Sequence, residues 1–159
     1  MFGSDKVFVI AETGLNTQGS FKICAEMIRQ AAKAGCDAVK FQTFNSAEFT
    51  SDKSEEEMFA KRQLYWGNFR ALFEIAKHEG LIPLSTPTDK NAVDLICELG
   101  VKAIKIGSDD LVHEPLLKYV GSKGLPVILS TGMARRAARP TPAAAIFAKW
   151  MCLRGMSQS

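Results

Sequence analysis

Residues 37–43, with the sequence D-A-V-K-F-Q-T, decide the fold of this chain. They form a short apolar run that carries Lys40 and Gln42 at alternate positions, a pattern typical of a buried β-strand. Gly35 stands just before the run, where it is expected to end a helix that starts after Ser20. The unit is therefore helix, glycine stop and buried strand.

The same unit recurs on both sides of this stretch. Further strands are expected over residues 7–11, 81–87, 103–108 and 127–131, and helices over 69–78, 91–99 and 114–120. Strands that alternate with helices in this way predict a parallel sheet. The polar segment 45–67 is too long for a simple connection between a strand and a helix.

Two folds share this alternation, the open doubly wound sheet and the TIM barrel. The sequence favours the barrel, because polar residues stand at the C-terminal end of every expected strand, and in a barrel those ends meet at one mouth. The first strand is also followed by no G-x-G-x-x-G motif, which a dinucleotide-binding sheet would carry. We therefore expect an incomplete (β/α) TIM-type barrel of about five parallel strands.

Composition narrows the possible partners. The chain has 159 residues, 47% hydrophobic and 23% charged, which is typical of a soluble globular domain. No apolar run approaches the roughly 20 residues of a membrane span, and the N-terminus does not resemble a signal peptide. We expect a cytoplasmic protein that binds no membrane.

The net charge of +3 is unevenly distributed. The last 26 residues hold five of the 20 Lys and Arg residues and none of the 17 acidic ones, so the rest of the chain is slightly acidic and predicts no nucleic-acid partner. We assign residues 1–134 to the barrel and 135–159 to a divergent basic, Ala-rich tail. A short helix over 143–153 is expected there. The change of composition raises the hypothesis of a truncated or frameshifted reading frame, or of a disordered tail.

Two lysines stand inside apolar strands. Burial of an unpaired ammonium group is unfavourable, so Lys40 and Lys105 need partners. One interpretation is a structural ion pair with Glu12, and the other is that both lysines face a multiply charged anion. Hydroxyl groups at strand ends could donate to the same anion: Ser85, Thr86, Ser108, Ser130 and Thr131.

Glu12 ends the first expected strand and is a candidate general acid or base, or simply a strand-end residue that caps a loop. The two histidines, His78 and His113, have no partners at ligand spacing, and the four cysteines form no C-x-x-C pair. We therefore expect no metal site and no disulfide framework within this chain.

Six ordered motifs resemble one family. They are V-F-V-I-A-E-T-G-L-N-T-Q-G at 7–19, D-A-V-K-F-Q-T at 37–43, L-S-T-P-T-D at 84–89, I-K-I-G-S-D-D at 104–110, P-L-L at 115–117 and V-I-L-S-T-G-M-A at 127–134. Together they resemble the N-acetylneuraminate (sialic acid) synthases over about residues 6–134. Thr17, Thr88 and His113 depart from the family's usual residues.

The resemblance implies a transferase that condenses phosphoenolpyruvate (PEP) with an N-acylated amino sugar such as N-acetylmannosamine, giving a nonulosonic acid and phosphate. It implies a catalytic role for Glu12, a role in sugar binding for Gln42, and roles in PEP binding for Lys40, Thr86, Lys105 and Ser108. It also implies a divalent metal, Mn²⁺ or Mg²⁺, whose ligands are not in this chain, and a homodimer in the full-length family. The fragment is expected to be inactive alone.

Two alternatives stay open. The same chemistry could serve legionaminic acid, pseudaminic acid or a spore-coat polysaccharide precursor, since nothing in these motifs separates the acceptor sugars. The chain could instead be a non-catalytic half-barrel that pairs with a second chain.

Overall fold

The computed structural model describes residues 7–132 and the backbone of residues 145–146. Its strands are β1 (Ile10–Glu12), β2 (Ala38–Thr43), β3 (Ile82–Pro87), β4 (Ile104–Ile106), β5 (Val127–Leu129) and the two-residue β6 (Ala145–Ile146). Its α-helices are α1 (Phe21–Lys33), α2 (Ser46–Phe49), α3 (Lys53–Ala60), α4 (Phe69–His78), α5 (Lys90–Glu98) and α6 (Glu114–Ser122). Most expected elements are present, with ends shifted by a few residues.

All strands are parallel and lie in sequence order from β1 to β6. The helices pack on one face of the curled sheet. The larger apolar cluster joins outward-facing residues such as Val39 and Phe41 of β2 to α1, α4, α5 and α6. The smaller cluster, on the inner face, consists of residues from the strands and their flanks: Ala38, Leu84, Ala103 and Ile128, with Phe8, Ile10 and Ile82 against them. A doubly wound sheet would bear helices on both faces, so the expected incomplete barrel is confirmed.

Helix boundaries follow local chemistry. The Ser20 hydroxyl accepts a hydrogen bond from the Ile23 amide at 3.3 Å and caps α1. Gly35 follows α1 with φ of +79°, a conformation that glycine adopts without a steric penalty. The Asp89 carboxylate caps α5 through the Ala92 amide at 2.8 Å. Ser20 and Asp89 thus fix where α1 and α5 begin, and Gly35 fixes where α1 ends.

Three expectations need correction. The first strand begins at Ile10 and not at residue 7, and Val7 is 78% exposed. About five strands were expected, and the sheet has a sixth, β6, which pairs beside the fifth. Residues 145–146 are extended, so the helix expected over 143–153 is wrong at these positions. The remainder of the tail prediction lies outside the described residues.

The segment 45–67 forms an arm over the C-terminal end of β2. It contains α2 and α3. The Trp66 indole donates to the Phe44 carbonyl at 3.0 Å and so attaches the arm to the end of β2. Within the arm, the Ser46 amide donates to the Gln63 side chain at 2.9 Å. Leu64 is buried in the larger cluster. None of the described helices is long and apolar enough to cross a bilayer.

Candidate functional site

A cleft of about 280 Å³ opens at the C-terminal ends of β1 to β5, on the inner face of the sheet. All six residues to which the family resemblance assigns a role contribute to its walls. The lining residues are Glu12, Lys40, Gln42, Phe44, Phe49, Thr86, Thr88, Lys105, Gly107, Ser108, Asp109 and Ser130. The cleft is therefore the place where the chemistry predicted from the strand ends would occur.

The alternation of side chains along the strands explains why these residues meet. In β2 the residues at alternate positions face inward, so Ala38 lies in the inner apolar cluster while Lys40 and Gln42 lie further along in the cleft. In β3 the same alternation takes Leu84 to the inner cluster and Thr86 to the cleft. The apolar cluster thus closes the bottom of the cleft below the polar residues.

Lys40 lies at the centre of a hydrogen-bonded group. Its ammonium forms an ion pair with the Glu12 carboxylate and donates to the Thr86 hydroxyl at 3.1 Å. Lys40 is only 7% exposed, and the other oxygen of Glu12 accepts from the Gly14 amide at 2.9 Å. The ion pair expected between Glu12 and a buried lysine is therefore present, and it lies within the cleft.

Lys105 is held differently. It is 8% exposed, and its ammonium donates to the backbone carbonyl of Ile106 at 2.6 Å. Burial, and secondly the positive charge of Lys40, lower the pKa of Lys105 to about 8, while Glu12 and the aspartates after β4 oppose that shift. A bound anion would stabilise the charged form of Lys105, which burial and the charge of Lys40 disfavour.

Ser108 and Ser130 place further hydroxyl groups on the wall of the cleft, and Gly107 lies beside them. The Ser130 amide donates to the Ile106 carbonyl at 3.1 Å, which fixes the chain as it leaves β5. Two ammonium groups with several hydroxyl groups around them suit an anion that carries both a carboxylate and a phosphate.

Two hydroxyl groups expected at the anion do not reach the cleft. Ser85 is fully buried on the helix-facing side, where it is in register with Phe41 and Ile104 and its hydroxyl lies 2.7 Å from that of Thr43. A strand sends adjacent residues to opposite faces, so Ser85 and Thr86 cannot both face inward. Thr131 does not line the cleft either.

Sequence reasoning missed the aromatic part of the wall. Phe44 and Phe49 line the cleft, although the segment that carries Phe49 was described only as a polar connection. The available signal was the pattern 40, 42, 44, which continues the inward-facing positions of β2 one step beyond the strand. Phe49 comes to the cleft through α2 and had no such signal.

Neither histidine and none of the three cysteines within residues 7–132 lines the cleft. His113 is half exposed, with its Nδ1 atom 3.7 Å from Asp110, and Cys24 is buried where burial raises the pKa of its thiol to about 12. Between residues 7 and 132, no three His, Cys, Asp or Glu side chains lie together in a way that could hold a metal ion. The described residues therefore do not fit the metal that the family resemblance implies.

Comparison with known proteins assigns the family. The sequence model of the NeuB family matches residues 27–149. The N,N'-diacetyllegionaminic acid synthase of Legionella pneumophila is 36% identical, with 79% of this chain and 40% of that protein covered. Human N-acetylneuraminate-9-phosphate synthase is 33% identical, with coverage of 82% and 40%. The chain thus spans about two fifths of the length of these curated relatives.

Solved structures agree with the sequence match. The N-acetylneuraminic acid synthetase of Leptospira borgpetersenii, solved in complex with citrate, superposes with a TM-score of 0.82 at 34% identity, over 86% of this chain and 48% of that one. The family match extends over β2 to β5, which supply most of the strands around the cleft. The chain therefore belongs to the NeuB family of synthases, whose matched members include sialic acid and legionaminic acid synthases.

Proposed function

We propose that this chain supplies the PEP-binding part of a synthase that joins PEP to an N-acylated amino sugar and releases phosphate. The observation that carries the proposal is the pairing of two buried lysines, Lys40 and Lys105, in one cleft. Glu12 already pairs with Lys40, and a ligand with two negative charges would further offset the mutual repulsion of the two ammonium groups. PEP is such a ligand, because it carries a carboxylate and a phosphate.

In the proposed reaction the C3 carbon of PEP attacks the aldehyde carbon of the open-chain sugar. The new carbon–carbon bond leaves a cationic centre at C2, water adds there, and the bond from C2 to the phosphate oxygen then breaks. A 2-keto acid and inorganic phosphate result, so the atoms balance without an oxidant or a reductant. Because the described residues do not fit a metal ion, no step here passes through one.

The residues of the cleft take separate parts in this scheme. Lys105 and Lys40 hold the two anionic ends of PEP, and the hydroxyl groups of Thr86 and Ser108 orient them. Glu12 lines the same cleft, and its carboxylate oxygens each keep a lone pair beyond the bonds to Lys40 and Gly14. It can therefore accept a proton from the water that attacks C2.

Gln42 lies one inward-facing position beyond Lys40 on β2, which is about 7 Å further out along the strand. An amide that can both donate and accept is suited to sugar hydroxyl groups. We therefore place the acceptor sugar on the outer side of PEP, against Gln42. Which amino sugar binds is a question for product analysis with a panel of acceptors, including the precursors of legionaminic and pseudaminic acids.

Calorimetric titration of the chain with PEP tests the proposal, with pyruvate and inorganic phosphate as separate halves of the ligand. PEP should bind more tightly than either half, because each half satisfies only one lysine. Lys105→Met should abolish this advantage, whereas Lys102→Met, at an exposed position three residues away, should leave it unchanged. Equal affinity for PEP and phosphate would refute the two-lysine site.

A further inference from the structure

The arm formed by residues 45–67 has no part in the chemistry proposed above, yet it contributes to the cleft. Its aromatic residues form a compact group with Phe44. The ring centroids of Phe44 and Phe49 lie 5.3 Å apart, those of Phe44 and Phe59 6.0 Å, and those of Phe49 and Phe59 4.6 Å. We refer to Phe44, Phe49 and Phe59 as the aromatic triad.

The three members of the aromatic triad differ in exposure. Phe44 is 4% exposed and Phe49 is 37% exposed, and both line the cleft. Phe59 on α3 does not line it, and packs edge-on against Phe49. Edge-to-face contacts of this kind hold a ring in one orientation. Phe49 is therefore a buttressed ring with an accessible surface in the cleft.

The position of the aromatic triad relative to the lysines follows from β2. Lys40, Gln42 and Phe44 occupy successive inward-facing positions, so Phe44 follows Lys40 by about 13 Å along an extended chain. PEP bound at Lys40 and Lys105 would occupy the inner part of the cleft. A second substrate that reaches PEP from outside would pass Gln42 and lie against Phe44 and Phe49.

We propose that Phe49, backed by Phe44 and Phe59, is the residue that selects the acceptor by contact with the methyl group of its N-acyl substituent. This inference rests on the proposed function. An acyl methyl group that packs against a phenyl ring gains apolar burial of about 25 cal/mol per Å². The products named for two matched relatives, N,N'-diacetyllegionaminic acid and N-acetylneuraminate 9-phosphate, carry such acetyl groups.

Saturation-transfer NMR on the full 159-residue chain tests this assignment with N-acetylmannosamine as the probe and PEP present. The acetyl methyl protons should receive more saturation than the ring protons. Phe49→Ala should reduce the methyl signal at least about threefold, and Phe49→Leu should retain part of it. Met58→Ala is the matched control, because Met58 has the same 37% exposure, lies on α3 and does not line the cleft.

Thermal melting of each variant shows whether the aromatic triad still packs. A second control changes the ligand and leaves the protein unaltered. Mannosamine, which lacks the acyl group, should bind the unaltered chain more weakly than N-acetylmannosamine. A methyl signal unchanged in Phe49→Ala, saturation strongest on the ring protons, or no acceptor signal from PEP-bound protein would overturn the assignment.

A separate phosphorus NMR titration distinguishes failure of this inference from failure of the proposed function. If PEP binds and the acceptor results fail, only the role of Phe49 is wrong. If PEP does not bind at all, the proposed function is wrong and the role of Phe49 is refuted with it.

Discussion

Glu12 of β1 and Lys40 of β2 are register partners in the parallel ladder, and their side chains meet in an ion pair at the inner end of the cleft. Because neighbouring parallel strands present register partners on the same face, this pairing follows directly from the sheet. The same carboxylate that pairs with Lys40 also lies beside the proposed position of PEP. The structural role of Glu12 and its proposed catalytic role therefore belong to the same carboxylate, and mutation can separate them.

Lys40→Met should weaken PEP binding at least about thirtyfold, because it removes one of two buried positive charges that face the ligand. The Lys102→Met variant supplies the matched control, since it removes an equal charge from an exposed position. Calorimetry measures both, and thermal melting shows whether Lys40→Met still unfolds cooperatively. An affinity equal to that of the control would remove Lys40 from the anion site.

Glu12→Gln should differ from Lys40→Met, because it should leave PEP binding largely intact and lower turnover. Glutamine can still accept from the Gly14 amide, so PEP affinity should change by no more than a few-fold. Turnover, measured as sugar-dependent phosphate release in a full-length relative with the corresponding change, should fall about 10²- to 10⁴-fold if the carboxylate accepts a proton. Near-normal turnover would leave Glu12 only its structural pairing with Lys40.

The lowered pKa of Lys105, about 8, predicts a pH dependence of PEP binding. With this pKa, Lys105 is mostly charged at pH 7 and about half charged at pH 8, so affinity should fall about twofold between pH 7 and 8. Above pH 8 it should fall by up to about tenfold per unit while the charge of Lys105 is required. Lys105→Arg should flatten this profile, because arginine stays charged throughout. A wild-type profile that is flat to pH 10 would contradict the assignment.

Stability without ligand should change in the other direction. The folded state holds the Lys105 proton less tightly than the unfolded state, whose lysine titrates near 10.5. Between about pH 8 and 10.5 the unfolded chain thus binds more protons, and this group makes the free energy of unfolding rise with pH. Urea denaturation of the wild type and of Lys105→Met across that window isolates the contribution, and an identical slope in the two proteins would refute it.

Those features of the fold that depend on residues close together in the sequence could be predicted from it. The helix over 69–78 and the strand ending at Thr43 follow from apolar periodicity and local stop signals, which act over a few residues. The convergence of Lys40 and Lys105 followed from the general geometry of strand ends. The family-level fold could therefore be predicted from the sequence alone.

Two kinds of feature could not be predicted from the sequence. One is which face of the sheet each strand residue occupies, and the other is contact between residues far apart in the sequence. The S-T pair at 85–86 offered two hydroxyl groups, and only the register with Phe41 and Ile104 shows that Ser85 faces the helices. Phe49 reaches the cleft because α2 folds back over β2, a contact that no local pattern encodes. The extended residues 145–146 were assigned to a helix because alanines favour helices, whereas pairing with β5 decides their conformation.

Ser85 and Thr86 are adjacent in β3, and substitutions at both test which face of the sheet each residue occupies. Ser85→Ala should lower the free energy of unfolding by about 1–3 kcal/mol, since it leaves the buried Thr43 hydroxyl without its partner, and should not change PEP affinity. Thr86→Val should do the reverse, with weaker PEP binding because Lys40 loses an acceptor. Denaturation and calorimetry on both variants decide the matter, and exchanged effects would mean that β3 faces the other way.

The alternation just described has a consequence for how sequences of this family diverge. Along β2 and β3, the residues that contact the helices and the residues that line the cleft occupy different positions one step apart. A change of substrate preference can therefore accumulate at one set of positions while the other set stays under selection for folding alone. Relatives that share this half of the barrel can thus differ in acceptor sugar without differing in architecture.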